Sequence, residues 1–333
     1  MKSLPLHAQH YRYLLRSYKE YLQVTGYADK TVNSWSTHVR EFLHFLENYT
    51  PSPLGEAGMG PIQHITLVEK AHITDFITHI KQRKNSSRAG ALSSSTINGI
   101  INAVNVFAKY INSSGNYLLD LTLHREETAT TEKTILSVQE IKGLYEATFL
   151  AYEWNSVAMG QRDRAIIALY YGCGLRRSEG VQLNTGDIDP GRRLLFVRKA
   201  KGNKQRYVPI AARHLQDIED YIKEGREWFL QRHDNNTEYH SHRNGTPLPK
   251  KTKAVGDAFL LTHQGGRFLQ PEWRLKYLQR KAEIQKPVTL HGLRHSIATH
   301  LLQSGMELEE IAKFLGHASL ASTQIYTHIV NQL

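Results

Sequence analysis

Three observations predict a mainly helical protein of two domains with one small antiparallel β-hairpin. Apolar residues recur at i, i+3, i+4 and i+7 through most of the chain, whereas strand-like runs around turn residues occur clearly only between Leu194 and Ile210. The 333 residues, 40% hydrophobic, favour two cores over one. Periodicity also fades once, from Ser113 to Lys133, where the run Arg125 to Lys133 is polar enough to be an exposed linker.

The first domain reads as four helices. Tyr11, Leu14, Leu15, Tyr18 and Leu22 form a stripe that Gly26 stops, and Asp29 is placed to cap a second helix carrying Val32, Trp35, Val39, Phe42 and Leu46. Prolines and glycines from Thr50 to Pro61 make a loop. Ile73, Phe76, Ile77 and Ile80 mark a third helix, and after a Ser-rich stretch from Asn85 to Ser95 a fourth carries Ile97, Ile100, Ile101, Val104, Phe107 and Ile111.

The second domain opens on a capping box, Ser137 with Glu140, before a helix bearing Ile141, Leu144 and Tyr145. Ala165 to Tyr171 is apolar on nearly every side, as in a central helix, and runs through Gly172-Cys173-Gly174 into Leu175-Arg176-Arg177-Ser178-Glu179. Asp189-Pro190-Gly191 turns the chain, and strands Leu194–Arg198 and Arg206–Ile210 flank a second turn at Lys201 to Lys204. A helix follows from Arg213 to about Gln231, then a polar loop. Phe259 to Thr262 is expected to be a short strand, and Trp273, Tyr277 and Leu278 seed another helix. Leu290, Leu293, Ile297 and Leu301 form a stripe with Arg294 at its flank and His291 and His295 further round. Leu308, Ile311, Ala312 and Leu315 continue to Gly316, a C′ glycine, which leaves His317 at a helix exit. Ser319 is placed to cap a last helix with Tyr326, Ile329, Val330 and Leu333.

Composition narrows the function. Forty-two Lys and Arg against 31 Asp and Glu give +11, which favours a polyanionic partner. The charge is concentrated between Gly191 and Arg213, where eight basic residues meet no acidic one. Such a hairpin repels itself unless phosphates arrive. No run of 18 apolar residues and no signal-peptide core occur, so the expected location is cytoplasmic, at the nucleoid, with no membrane partner. A lone Cys173 excludes an internal disulfide and a cysteine zinc cluster and reads as a small core residue. His233, His240 and His242 lack an HExxH or cysteine partner, so the loop around them reads as solvated.

Taken singly, the polar residues of the second domain are unremarkable. Tyr326 is a core aromatic by spacing, Arg176 with Glu179 a surface ion pair, and His291 and His295 capping or surface residues. Together they are the types that phosphodiester cleavage without a metal requires. Guanidiniums match the extra negative charge of a pentacoordinate phosphorane, a nucleophile must attack in line, a base must take its proton, and the leaving 5′-oxygen must gain one.

Five blocks in order, Gly-Leu-Arg-Arg-Ser-Glu at 174–179, Lys-Gly-Asn-Lys-Gln-Arg at 201–206, His-Gly-Leu-Arg-His at 291–295, Leu-Gly-His at 315–317 and Thr-Gln-Ile-Tyr-Thr-His at 323–328, resemble the tyrosine recombinase (phage integrase) family, in particular its Xer-like site-specific recombinases. The resemblance implies a two-domain, C-shaped DNA clamp: residues 1–114 a helical core-binding, SAM-like domain, 115–134 a linker and 135–333 the catalytic domain. It implies Tyr326 as the nucleophile forming a 3′-phosphotyrosyl bond, Arg176 and Arg294 as the phosphate clamp, Lys201 as general acid with Lys204 its competitor, His291 as general base and His317 as a donor to the phosphorane. Arg177 competes with Arg176, which the Gly-Leu-Arg-x-Ser-Glu register selects. Glu179 and His295 would orient neighbours, and Lys199, Lys204 and Arg206 would contact DNA.

No metal or other cofactor is expected, because the phosphotyrosine conserves the bond energy for rejoining. The implied partners are double-stranded DNA with paired half-sites and three further protomers, identical or of a related recombinase, exchanging strands through a Holliday junction. Three features depart from the family pattern: Cys173 where Thr is frequent, a long loop from about His233 to Lys253, and only seven residues after Tyr326, where relatives usually carry a segment that docks on a neighbour. The rival readings are a type IB-like topoisomerase, which would relax supercoils without paired sites, and an architectural DNA-binding protein, which would form no covalent adduct. A metal-dependent nuclease, inactivated by EDTA, is more distant.

Overall fold

The computed structural model describes residues 4–50, 60–85, 90–115, 123–127, 134–150, 156–198, 205–231 and 256–317. The chain divides into two compact units, Met1–Thr131 and Glu132–Leu333.

The first unit is built from α1 (Gln9–Val24), α2 (Asp29–Glu47), α3 (Lys70–Gln82) and α4 (Ser94–Ser113). The stripe of α1 is buried as its spacing requires. It packs into a core that includes Phe42, Phe76 and Phe107, each worth about 1.5–3 kcal/mol by burial. Buried tyrosine hydroxyls still need acceptors, and Tyr11 donates to Ile62 O at 2.7 Å and Tyr18 to Ala103 O at 3.3 Å. Asp29 is not the cap: Ala28 holds that position and Asp29 is the first helical residue, where its charge still complements the helix dipole. Within the expected linker, Leu123 and Glu126 are held on α4 by paired backbone bonds to the amides of Asn105 and Asn98.

The second unit opens with α5 (Val138–Leu150), whose capping box is closed by Glu140 N on Ser137 Oγ at 3.1 Å and Ser137 N on Glu140 Oε2 at 2.6 Å. The central helix starts earlier than Ala165, as α6 (Ser156–Ile167), and widens into a π-helical turn at Ala168–Gly172. Ala165 to Tyr170 are fully buried. Cys173 is buried too, and its thiol is pushed up to about 12 by that burial, which keeps it protonated and inert.

After α7 (Arg177–Gln182) comes a three-stranded antiparallel sheet, β1 (Ile188–Asp189), β2 (Leu194–Val197) and β3 (Arg206–Pro209), in that order. Ile188 pairs with Leu195, and Leu195 with Val208. The predicted hairpin is β2 and β3; β1 is two residues long and carries no alternation by which to recognise it. Residues 258–261 make isolated bridges, Asn184 to Ala258 and Leu261 to Arg267, instead of the expected strand. They are buried, but the chain bends before a ladder forms.

α8 (Ala212–Asp220) passes through a second π-helical stretch, Tyr221–Gly225, and stays helical over 226–231. α9 (Glu272–Lys281), α10 (Leu290–Gln303) and α11 (Leu308–Leu315) complete the described residues. No helix among them is long and apolar enough to cross a membrane.

Candidate active site

The site forms where three segment ends meet: the exit of the π-helical turn with the start of α7, the N-terminal turn of α10, and the C-terminus of α11. Thr289 caps α10, its Oγ1 accepting from Gly292 N at 2.9 Å. This fixes the turn on which His291, Arg294 and His295 project. Arg294 does not sit at the flank of the buried stripe as its spacing suggested; it is 2% exposed. Burying a guanidinium is costly unless acceptors surround it, and Arg294 donates to Gly174 O and, at 2.7 Å, to Leu315 O.

Gly316 ends α11 in the left-handed region at φ 65°, with its own N–H bonded to Lys313 O and that of His317 to Ala312 O. This leaves carbonyls of the last turn free to accept from cations, at the negative end of the helix. Leu315 O takes Arg294, and Gly316 O takes Arg176 Nη2 at 2.6 Å. Two guanidiniums from sequence blocks 118 residues apart are thus anchored on consecutive carbonyls, with His317 as the next residue.

Glu179 holds the other side. Its side chain is 1% exposed; Oε1 accepts from Arg176 Nη1 at 2.8 Å and Oε2 from Arg176 N at 2.8 Å. Arg206 adds a bidentate pair at 2.9 and 3.0 Å. Burial would push this carboxyl up, but the donors from Arg206 and Arg176 outweigh it and hold it at about 2.

Two guanidiniums therefore grip the one carboxylate, and Arg294 is the third that acts on His317, so these four groups carry an excess of two positive charges. Burial first, then Arg294, Arg176, Arg206 and His291, lower His317 to about 4, so it is a neutral imidazole at pH 7. His291 is exposed and His295 buried, their rings edge to face with centroids 4.1 Å apart.

The structure thus brings together Arg176, Glu179, Arg206, Arg294 and His317, with His291 and His295 on the same turn of α10 as Arg294. Arg177 points elsewhere: it bonds Glu272 and, at 2.7 Å, Leu269 O. Lys199, Lys201, Lys204, Tyr326, Ser319 and the loop carrying His233, His240 and His242 lie outside the described residues. Among the described residues no group of three or more His, Cys, Asp or Glu is arranged to hold a metal ion. The sequence marks Gly316 as a helix stop and as the middle of the Leu-Gly-His block, but not as a carbonyl acceptor for Arg176; nor does it mark Leu315 O as the acceptor for Arg294.

Comparison with known proteins finds relatives over nearly the whole chain. The model of the phage integrase family matches residues 135–332, and that of the phage integrase N-terminal SAM-like domain matches residues 14–114. Tyrosine recombinase XerC of Anoxybacillus flavithermus is 29% identical over 320 residues, 95% of this chain and 93% of that protein. Tyrosine recombinase XerD of Listeria monocytogenes is 27% identical over 309 residues, 91% and 89% of the two chains. Among solved structures, the XerH site-specific recombinase bound to palindromic difH substrate superposes with a TM-score of 0.65 at 21% identity, covering 96% of this chain and 81% of that one. A lambda integrase dimer bound to a core site superposes with a TM-score of 0.60 at 12% identity, covering 95% and 94%. At those identities the structures speak for the fold.

Proposed function

The chain belongs to the phage integrase family, and on that footing we propose that it is an Xer-like tyrosine recombinase that cuts and rejoins DNA at specific sites. The observation that carries the reading is the anchoring of Arg176 and Arg294 on consecutive carbonyls beside His317, with two positive charges in excess. A phosphodiester entering there gains donors on both non-bridging oxygens from groups already held in place, and none of them must be reorganised when charge develops.

In the proposed reaction Tyr326 Oη attacks phosphorus in line and its proton passes to His291. The bond to the 5′-oxygen breaks, Lys201 protonates that oxygen, and a 3′-phosphotyrosyl ester remains. A free tyrosine, with a pKa near 10, is only about 0.1% phenolate at pH 7, roughly 4 kcal/mol short of a ready nucleophile; a charge-rich clamp and an imidazole base supply part of that. His317, neutral at working pH, keeps one ring N–H with which to donate to the phosphorane. Attack by the 5′-hydroxyl of a second duplex reverses the steps and joins the strands. The reaction conserves the ester bond, so neither a metal nor a nucleotide is required.

Both units engage the duplex in this reading, residues 1–114 as a helical DNA-binding domain and 135–333 as the catalytic one, with Lys199 and Lys204 of the hairpin turn on phosphates. Four protomers on two duplexes, identical or with a related recombinase, exchange strands in pairs through a Holliday junction.

The test is Tyr326→Phe on a nicked suicide substrate, expected to bind its site as the wild type does and to form no SDS-stable adduct. An adduct that survives the substitution would remove Tyr326 from the mechanism. Relaxation of supercoils with no joined products from paired sites would favour a topoisomerase instead.

A further inference from the structure

Arg206 opens β3, immediately after the basic turn, and by composition it belongs with Lys199 and Lys204 as a phosphate contact. Its surroundings argue otherwise. Both terminal nitrogens are committed to the two oxygens of Glu179, and the side chain is 12% exposed, against 81% for Arg192 in the neighbouring turn. Its Nε is buried with no hydrogen-bond partner among the described residues and lies against Gly316, where an added Cβ would come within 2.8 Å of Arg206 Cδ and Nε. Little edge of the guanidinium is left to present to DNA.

These contacts close a ring. Arg206 grips Glu179, Glu179 holds Arg176 through side chain and backbone, Arg176 reaches Gly316 O, and Gly316 packs on Arg206. The ring fixes both the first phosphate-clamping arginine and the turn that carries His317. Arg176 reaches both oxygens of Glu179 through its own backbone and side chain, and the Arg206 fork adds a second bond to each, which holds the plane of the carboxylate from another segment.

We propose that Arg206 is a positioning residue for strand cleavage, acting through Glu179 and Gly316 to hold Arg176 and His317 in register, and that it makes no DNA contact. The proposal rests on the reading of Arg176 and His317 as phosphate-binding groups given above.

The experiment compares wild type, Arg206→Met, Arg206→Lys, Glu179→Gln and the Met/Gln double variant, all full length. Equilibrium binding to the recombination site is measured across salt, and the single-turnover rate of covalent adduct formation on the nicked substrate is measured at saturating DNA. Arg206→Met is expected to keep its affinity within about twofold and its slope of log K against log salt, while the adduct rate falls roughly 10- to 100-fold, the scale of a misplaced catalytic group. Arg206→Lys should recover part of the rate, and the double variant should be no slower than the slower single one.

A salt slope reduced by about one, with affinity lost and the saturated rate intact, would make Arg206 a phosphate contact and overturn the proposal. Additive losses in the double variant would overturn it as well, since Arg206 would then not act through Glu179. The salt slope is read without cleavage. A failure of the nucleophile assignment would instead show as an adduct in Tyr326→Phe, so the two failures are separable.

Discussion

Replacing Glu179 with Gln keeps the shape of the side chain and removes the negative charge held between the guanidiniums of Arg176 and Arg206. The carboxyl is drawn from 4.5 to about 2 in the folded protein; at about 1.4 kcal/mol per pH unit, its ionised form contributes on the order of 3 kcal/mol at neutral pH. That figure stands because the side chain is 1% exposed and its partners are fixed by four hydrogen bonds. Since the folded value is depressed, the contribution is present in full above 4.5 and is lost as pH falls toward 2. For a domain of this size about 3 kcal/mol corresponds to roughly 6–12 °C in melting temperature. Thermal unfolding of the two proteins should therefore differ by that margin at pH 7.5, and the gap should shrink to roughly half or less as pH is lowered to 3. A drop of less than about 1 °C at pH 7.5, or a gap of the same size at pH 3, would refute the electrostatic account of the ring. It would leave Glu179 as a residue chosen for shape.

His317 is neutral down to about pH 4, so the adduct rate should show no acid limb from this group between pH 8 and 5.5, and Gln, which keeps an N–H donor, should replace it better than Ala. A limb near pH 6.5 that vanishes in His317→Gln would contradict this. Gly316→Ala must place a Cβ both in the left-handed region, at a cost of about 1–2 kcal/mol, and against Arg206; a melting temperature equal to that of the wild type would show that the turn relaxes freely. Arg274→Met removes the bidentate partner of Asp163, which is 0% exposed. Breaking such a pair should cost about 3–5 kcal/mol by urea unfolding, with part regained when Asp163→Asn is added; a loss under 1 kcal/mol would mean that Asp163 simply takes up a proton.

Helices were legible in the sequence because each has its own period. The stripe from Tyr11 to Leu22, the capping box at Ser137 and the glycine stop at 316 are statements about neighbours three or four residues apart, and the folded chain obeys them. What failed depends on distant partners. Residues 258–261 are as apolar as a strand, yet they only bridge to Asn184 and Arg267. Whether an apolar run forms a ladder is settled by what lies beside it. β1 was missed because two residues carry no period, and the π-helical turns because a single widened turn leaves no repeat to read; at Gly172, which ends the first of them, a Cβ would lie 2.4 Å from the ring of His214.

The same division runs through the site. Which residue types gather there could be argued from the order of the blocks, but burial could not. The i, i+3 spacing of Arg176 and Glu179 reads as a surface ion pair, of small consequence in water; only the arrival of Arg206 from the sheet, 27 residues on, buries the carboxylate and turns the pair into a brace. Arg294 is the converse case. Helical spacing put it at the edge of the buried stripe, and it is buried because α11 ends with a carbonyl where its guanidinium needs an acceptor. A charged side chain's depth is decided by its partners, and partners come from other segments. In this chain a sequence pattern therefore says most about the elements that carry the site and least about the charges within it.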